Sequence, residues 1–403
     1  MRLPTTIPGR IGLSLAALLA AAGLYLGFWP APADTANLAE SVTGAAEPAP
    51  PPPEVPGPTI TVRTGESIQA ALDAATPGAV ILVESGMYAE ELFVEVDYIS
   101  LIGLGDGEGR PVLDGQAEFE NGVSGTGHHF TMENFIVRNY RRNGVLVTGV
   151  EGVTLRNILT ENTGEYGLFP IHASGVLVEN CVSTGASDTG IYVGQSRDIV
   201  IQNNEAYENV SGFEVENSVG ALVANNYAHD NTAGILVFVL NRLDSKIGTA
   251  ARIVGNRVEN NNLSNFAPEG IVQQVPAGTG VLIMAADDTE VTGNTITGNR
   301  SVGVAIISAR QVYDADTVFD MGAEAEDNWV HDNAFENNGF DPHARLAAAG
   351  LPGADLLWDT SGWSNRWDET TDSAFPAPLP RSSWPVPVRR AWWRILSTLA
   401  KLL

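Results

Sequence analysis

The sequence predicts an all-β protein, a right-handed, single-stranded parallel β-helix of about eleven coils, with an N-terminal signal or anchor segment and a C-terminal amphipathic helix. Three observations predict it. An asparagine motif recurs eight times, as NFIVRN at Asn134, NILTEN at Asn157, NCVSTG at Asn180, NEAYEN at Asn204, NYAHDN at Asn226, NRVENN at Asn256, NTITGN at Asn294 and NAFENN at Asn333. The first spacings are 23, 23, 24 and 22 residues, a period at which one unit is one coil that buries its apolar side chains only against its neighbours. Seven units run on to a glycine followed by an apolar residue, as at Gly144, Gly167, Gly190 and Gly212, and the stretches IYV and FEV alternate with the two-residue period of strands. A leucine-rich repeat has a similar period, but its leucine scaffold and helical stretches are missing.

Residues 1–33 contain an uncharged apolar run from Ile11 to Trp29, with Arg2 and Arg10 before it and an A-x-A at Ala31 to Ala33. This is the pattern of an export signal, either cleaved or kept as an anchor. Residues 34–58 are proline-rich and read as an extended spacer. The β-helix domain is placed at 59–340, opened by a short helical pattern at Ile68, Leu72 and Ala75 that caps the first coil, and 341–380 form a C-terminal extension. In 381–403 a basic amphipathic helix sets Trp392, Ile395, Leu396, Leu399 and Leu403 against Arg390, Arg394 and Lys401. Such a helix suits either the headgroup region of a membrane or a cap over the last coil. The chain is therefore expected in the periplasm or at the cell surface, with the membrane surface as a partner through its two ends. Cys181 is the only cysteine, so the chain has no disulfide, and within a repeat it reads as a small buried residue.

The formal charge of −26 understates the acidity of the body. Residues 34–380 carry 48 acidic against 15 basic side chains, a net of −33. A body of that charge repels nucleic acid and polyanionic polysaccharides.

Stacking the strands after the corner glycines aligns Leu146, Phe169, Tyr192, Glu214 and Leu236 as one outward column. Thr148, Gly194, Glu216 and Phe238 form the next, and His172, Gln195 and Asn217 lie just beyond. Phe169 and Tyr192 offer rings to a sugar, while His172, Gln195, Glu214, Glu216 and Asn217 offer polar groups to hydroxyls or a cation. Glu214 and Glu216, about 7 Å apart on one strand face, are the acid and base candidates if the surface is catalytic. The plain alternative is a pair of solvated carboxylates. No cofactor is evident. Asp287, Asp288 and Glu290 are the candidates for a cation such as calcium, and Asp341-Pro342-His343 reads as a turn.

The opening TGESIQAALDAATPGAVILVESGMYAEE resembles the start of the carbohydrate-associated right-handed β-helix superfamily. Through GEYGLFP, ENCVSTGASDTGIYVGQS, ENVSGFEVENS, DNTAGILVF and LLWD, the stretch 59–367 resembles a family of exported parallel β-helix repeat proteins that has no established activity. It departs from that family's pattern at Val239 and Asn241. The resemblance implies carbohydrate as a ligand class and an exported c-type cytochrome as a companion. Three functions are expected, in this order. The first is an exported glycan-binding protein with a neutral glycan as partner. The second is a polysaccharide-active hydrolase, lyase or epimerase using the Glu214 region, and the third an accessory or docking protein for an exported redox or metalloprotein such as that cytochrome. Insertions at Leu240–Ala251, Asn262–Gly280 and Ala309–Asn328 are expected either to wall the groove or to decorate it.

Overall fold

The computed structural model describes residues 55–400. The predicted leader and nearly all of the proline-rich spacer lie outside them. The chain winds as a right-handed parallel β-helix with three sheets of twelve, eleven and ten strands, every neighbouring pair parallel. The twelve-stranded sheet runs from Thr59–Val62 to Arg366–Asp368, the eleven-stranded from Leu92–Val94 to Ala374–Phe375, and the ten-stranded from Met87–Tyr88 to Ala334–Glu336. Register places like on like: Ile191, Phe213, Ile235, Val281, Val304 and Leu356 form one interior column, and Val153, Val176, Ile199 and Ala221 another. All are buried, so each coil removes its neighbour's apolar surface from water and no single coil is stable alone.

The corners explain the asparagines. Asn157, Asn180, Asn203 and Asn225 turn the chain at one corner with φ between 51° and 57°, a left-handed conformation that asparagine tolerates better than other side chains. The repeat carries a one-residue slip that the motif alignment hid. Val182 pairs with Glu205, so Asn180 stacks on Asn203 and it is Cys181 that stacks on Asn204. From Asn204 onward the next residue is also asparagine or takes its place, and these side chains turn inward as an amide ladder. In it, Asn204, Asn226, Asn256 and Asn294 each donate Nδ2 to the Oδ1 of the next asparagine at 2.8–3.0 Å. A second ladder joins Asn209, Asn231, Asn261, Asn299 and Asn338. Each ladder ends on an acid, Asn333 donating to Glu369 Oε1 at 2.7 Å and Asn338 to Asp355 Oδ1 at 2.9 Å.

Both ends are covered. The helix Ile68–Asp73, N-capped by Ser67, buries Ile68, Ala71 and Leu72 over the first coil. The sheets continue past residue 340 through Ala354–Trp358, Arg366–Asp368 and Ala374–Phe375. The helix Val386–Ala400 then lies across the last coil, burying Ala391 and Trp393. Trp393 Nε1 donates to Asn365 O at 3.2 Å and its ring packs 5.3 Å from Trp363. Of the face that helical spacing suggested, Leu396 packs on the core and Trp392 Nε1 donates to Pro378 O at 2.9 Å, and Trp393, which that face left out, is the most buried; the side chains of Leu399 and Leu403 lie outside the described residues. Among the described residues no helix is long and apolar enough to cross a membrane.

Candidate functional site

The outer face of the eleven-stranded sheet carries the predicted columns. Leu146 pairs with Phe169, Tyr192 with Glu214, Glu214 with Leu236, and Glu216 with Phe238. The face changes character along the rod. Phe93 is half exposed and Ser124, Leu146 and Phe169 are half-buried, whereas Tyr192 and Glu214 are each 2% exposed and the residues that continue the column are buried. The three insertions fold over this second half as a roof. Beneath them the outward residues are themselves apolar: Leu236 is buried, and Phe238, Leu282, Met284 and Ala305 line a cavity of about 110 Å³ with Ile271, Val275 and Val312 of the insertions and with Leu346 and Leu351 beyond them. This corrects two expectations. Tyr192 has no open ring face for a sugar, and Glu214 and Glu216 are not solvated carboxylates.

The roofed end encloses an acid–tyrosine cluster. Thr189 Oγ1 donates to Glu214 Oε2 at 2.7 Å, and Tyr192 OH donates to Glu216 Oε1 at 2.7 Å. Tyr166 is bonded to Asp188 and stacks 4.1 Å from Phe169, whose edge meets Tyr192 at 4.8 Å. The Phe169 ring is therefore occupied by its own neighbours. Above Asp188 lies the second insertion, since a Cβ on Gly270 would stand 3.8 Å from its Oδ2. Among the described residues no cation is paired with the three carboxylates. Burial, then mutual repulsion, pushes Glu214 well above the usual carboxylate range, and burial pushes Glu216 up to about 7 and Asp188 to about 6. Such groups are poised for proton transfer near neutral pH, but the roof closes them off.

Gly194 makes this arrangement feasible. A Cβ there would lie 1.8 Å from Tyr192 Oη, so only glycine lets the phenol cross its own strand to reach Glu216. Gly194→Val is expected to displace the phenol and leave Glu216 without its donor. The loss should be about 2–3 kcal/mol, read as a lowered urea midpoint, and an unchanged midpoint would remove the Tyr192–Glu216 bond from this account.

Gln195 and Asn217 serve the roof. Asn217 Oδ1 accepts from Leu240 N at 2.7 Å while its Nδ2 donates to Leu240 O and Ser245 O; Gln195 Oε1 accepts from Asp244 N and Ser245 N. They pin the first insertion at both ends of its overhang. His172 stays exposed. With Gln195 it lines an open depression of about 440 Å³ at the corner beside this insertion, shared with His128, Glu151, Ser174 and Arg197. The structure thus separates the predicted residues into the enclosed cluster of Phe169, Tyr192, Glu214 and Glu216 and the open corner of His172 and Gln195, with Asn217 in a structural role.

Sequence reasoning missed Tyr166, Asp188, Thr189, His128 and Arg197. Thr189 alone carried a signal, standing immediately before the corner glycine Gly190 on the strand of Tyr192; in register it meets Ser211, not Glu214. The proposed cation set does not converge. Glu290 is taken by Arg252 at 2.7 Å and His331 at 3.1 Å, and burial pushes Asp287 up to about 7 beside Glu326. Among the described residues no three His, Cys, Asp or Glu side chains are placed to share a metal ion.

Residues 119–362 match the model of a protein family described as periplasmic copper-binding protein (NosD). Among solved structures, the chain is similar to the A-module of mannuronan C-5 epimerase AlgE6 from Azotobacter vinelandii, with 17% identity and a TM-score of 0.52 over 78% of this chain and 92% of that one. It is also similar to an alginate lyase from Paenibacillus sp. strain FPU-7, with 16% identity and a TM-score of 0.50 over 69% and 97%. At these identities the likeness is one of fold. No curated protein sequence matches.

Proposed function

Because the chain belongs to the periplasmic copper-binding protein (NosD) family, we propose that it is an exported, periplasmic accessory protein that docks a basic redox or metalloprotein of its compartment. The observation that carries this reading is the outer surface of the roof. Leu263, Phe266 and Val318 come from the second and third insertions and are exposed, Val318 to 79%, on a body whose net charge is −33. Apolar side chains set in an acidic field suit a partner with a basic rim, which the field attracts before the apolar contacts close.

A resident copper ion finds no suitable donor set. All six histidines and the one cysteine lie among the described residues. Burial pushes the Cys181 thiol up to about 12, which keeps it from the thiolate form that binds metal. His229 is held between Glu205 and Asp230 and stacked on Tyr227; His331 is held between Glu290 and Asp332 and stacked on Trp329. His128, His172 and Glu151 share the corner depression, but among the described residues no three His, Cys, Asp or Glu side chains are placed to share a metal ion, so the proposed role is docking, with the metal left to the partner.

Catalysis at Glu214 and Glu216 would require the roof to lift. Glycan binding, the other reading, loses the Phe169–Tyr192 column and draws its support from the open corner around His172.

Calorimetric titration of the full chain with a basic c-type cytochrome tests the docking role. Affinity should fall more than about tenfold between ~20 and ~150 mM salt, and a Phe266→Ser/Val318→Ser double variant should weaken binding roughly fivefold at fixed salt. Absence of binding at low salt, or binding indifferent to both changes, would overturn it.

A further inference from the structure

We propose that the corner depression beside the first insertion is a binding site for a neutral saccharide of one or two rings. The inference is separate from the docking role, which concerns the outer surface of the roof. Its floor is made by successive coils, which bring His128, Glu151, Ser174 and Arg197 to one spot although they lie up to 69 residues apart in sequence. The overhanging insertion supplies the wall through Ser245 and Ile247. At about 440 Å³ the space falls in the range of roughly 300–1,000 Å³ typical of small-ligand sites.

Hydrogen bonds already in place decide what the depression offers. Glu151 N donates to His128 Nδ1 at 3.0 Å, so a neutral ring carries its proton on Nε2 and presents a donor. Gln195 spends its Oε1 on Asp244 N and Ser245 N, at 2.9 and 3.2 Å, which leaves its amide N–H groups to donate. Arg197 is exposed and meets Asp198 only at 3.9 Å. Against these donors stand the Glu151 carboxylate and the Ser174 hydroxyl as acceptors, with Ile247 and Val219 as apolar surface. Fixed donors, a carboxylate acceptor and an aliphatic wall match a ring that carries vicinal hydroxyls and C–H faces.

Charge selects within that class. Inside the depression Glu151 offsets Arg197, but the body around it carries a net of −33, so a polyanionic chain is repelled where an uncharged sugar is not. The wall is also rigid before any ligand arrives, because Asn217 and Gln195 bind the insertion through five hydrogen bonds. A preformed wall reduces the ordering cost of binding.

The test is calorimetric titration of the full chain with glucose, galactose, mannose, maltose and cellobiose, and with glucuronate as the charged comparison. At least one neutral sugar should bind saturably with a Kd of about 1 mM or tighter, and glucuronate more weakly. Arg197→Met should weaken that binding roughly fivefold with the melting temperature unchanged, and His128→Phe should weaken it similarly with a small drop in melting temperature, since it also takes the acceptor from Glu151 N. A folded chain that binds none of the neutral sugars at ~50 mM, or whose binding ignores both substitutions, would overturn the site. Neither substitution touches the roof surface, so the cytochrome titration reports separately.

Discussion

Replacing Glu214 with glutamine should make the protein more stable at pH 8 and flatten its dependence on pH. Glu214, Glu216 and Asp188 sit together under the roof, paired with no cation among the described residues, and each is pushed above the ordinary carboxylate range. For Glu216 the shift runs from 4.5 to about 7. Between those values the folded chain holds a proton that the unfolded chain has released, so stability falls as pH rises through the window. Below it both states are protonated and no penalty arises. Above it the folded state carries the full cost of the buried charges. Glutamine keeps an acceptor for the Thr189 hydroxyl and frees the folded state from holding a proton there that the unfolded chain releases. The expected gain at pH 8 is read as a rise of a few degrees in Tm, with little change at pH 4. Asp287 and Glu326 are each pushed up to about 7 as well, so the variant retains part of the slope and the difference from wild type is the quantity to measure. Melts from pH 4 to 9 decide it. If wild-type Tm climbs between pH 5 and 8, or the variant loses stability at pH 8, the cluster is not uncompensated.

Asn231→Leu should be the most damaging single change in the rod. Asn231 Nδ2 donates to Ala206 O and Asn261 Oδ1, both at 2.9 Å, and its Oδ1 accepts from Asn209 N and Nδ2 at 3.0 and 3.1 Å. Leucine removes all four bonds and takes the acceptor from the buried Asn209 N, while Asn209 Nδ2 keeps Ser183 O and Asn261 Oδ1 keeps Asn231 N. At about 1–3 kcal/mol for the abandoned group and about 1 kcal/mol for each of the other bonds, the loss is on the order of 5 kcal/mol, enough to lower Tm by roughly 10 °C. Asn225→Gly is the comparison. That asparagine is exposed at φ 55°, a conformation glycine adopts without strain, so its loss should cost under about 1 kcal/mol. Similar losses in the two variants would mean that the asparagines act through backbone conformation alone.

Periodicity made the solenoid and the stacked outward columns legible, because a coil of constant length leaves few ways to arrange its residues. The slip at Cys181 was harder to see. Adjacent asparagines at 203–204 and 225–226 allow two alignments, and only strand register separates the corner residue from the ladder residue. The roof was the larger omission. Stretches such as AGILVFVL and GVLIMAA are apolar at both strand parities, the pattern of a sheet covered on both faces. Read that way, they would have predicted that Glu214 and Glu216 are enclosed before any coordinate was known. The corner depression had no comparable signal, since His128 and Arg197 come together only through three successive turns of the coil.

The acids at the ends of the two amide ladders have a consequence for how these molecules meet one another. An asparagine accepts from one neighbour and donates to the next, so a ladder of amides can propagate without limit. Glu369 and Asp355 accept and, as carboxylates, have no N–H to pass on. They act as chain terminators in the polymer sense. A second rod brought against this end would meet those two acids and, over the short Asn328–Asn365 pair, the helix carrying Trp393, whose Nε1 already donates to Asn365 O. A fold with the architecture of a fibre is thereby kept at the length of a single molecule.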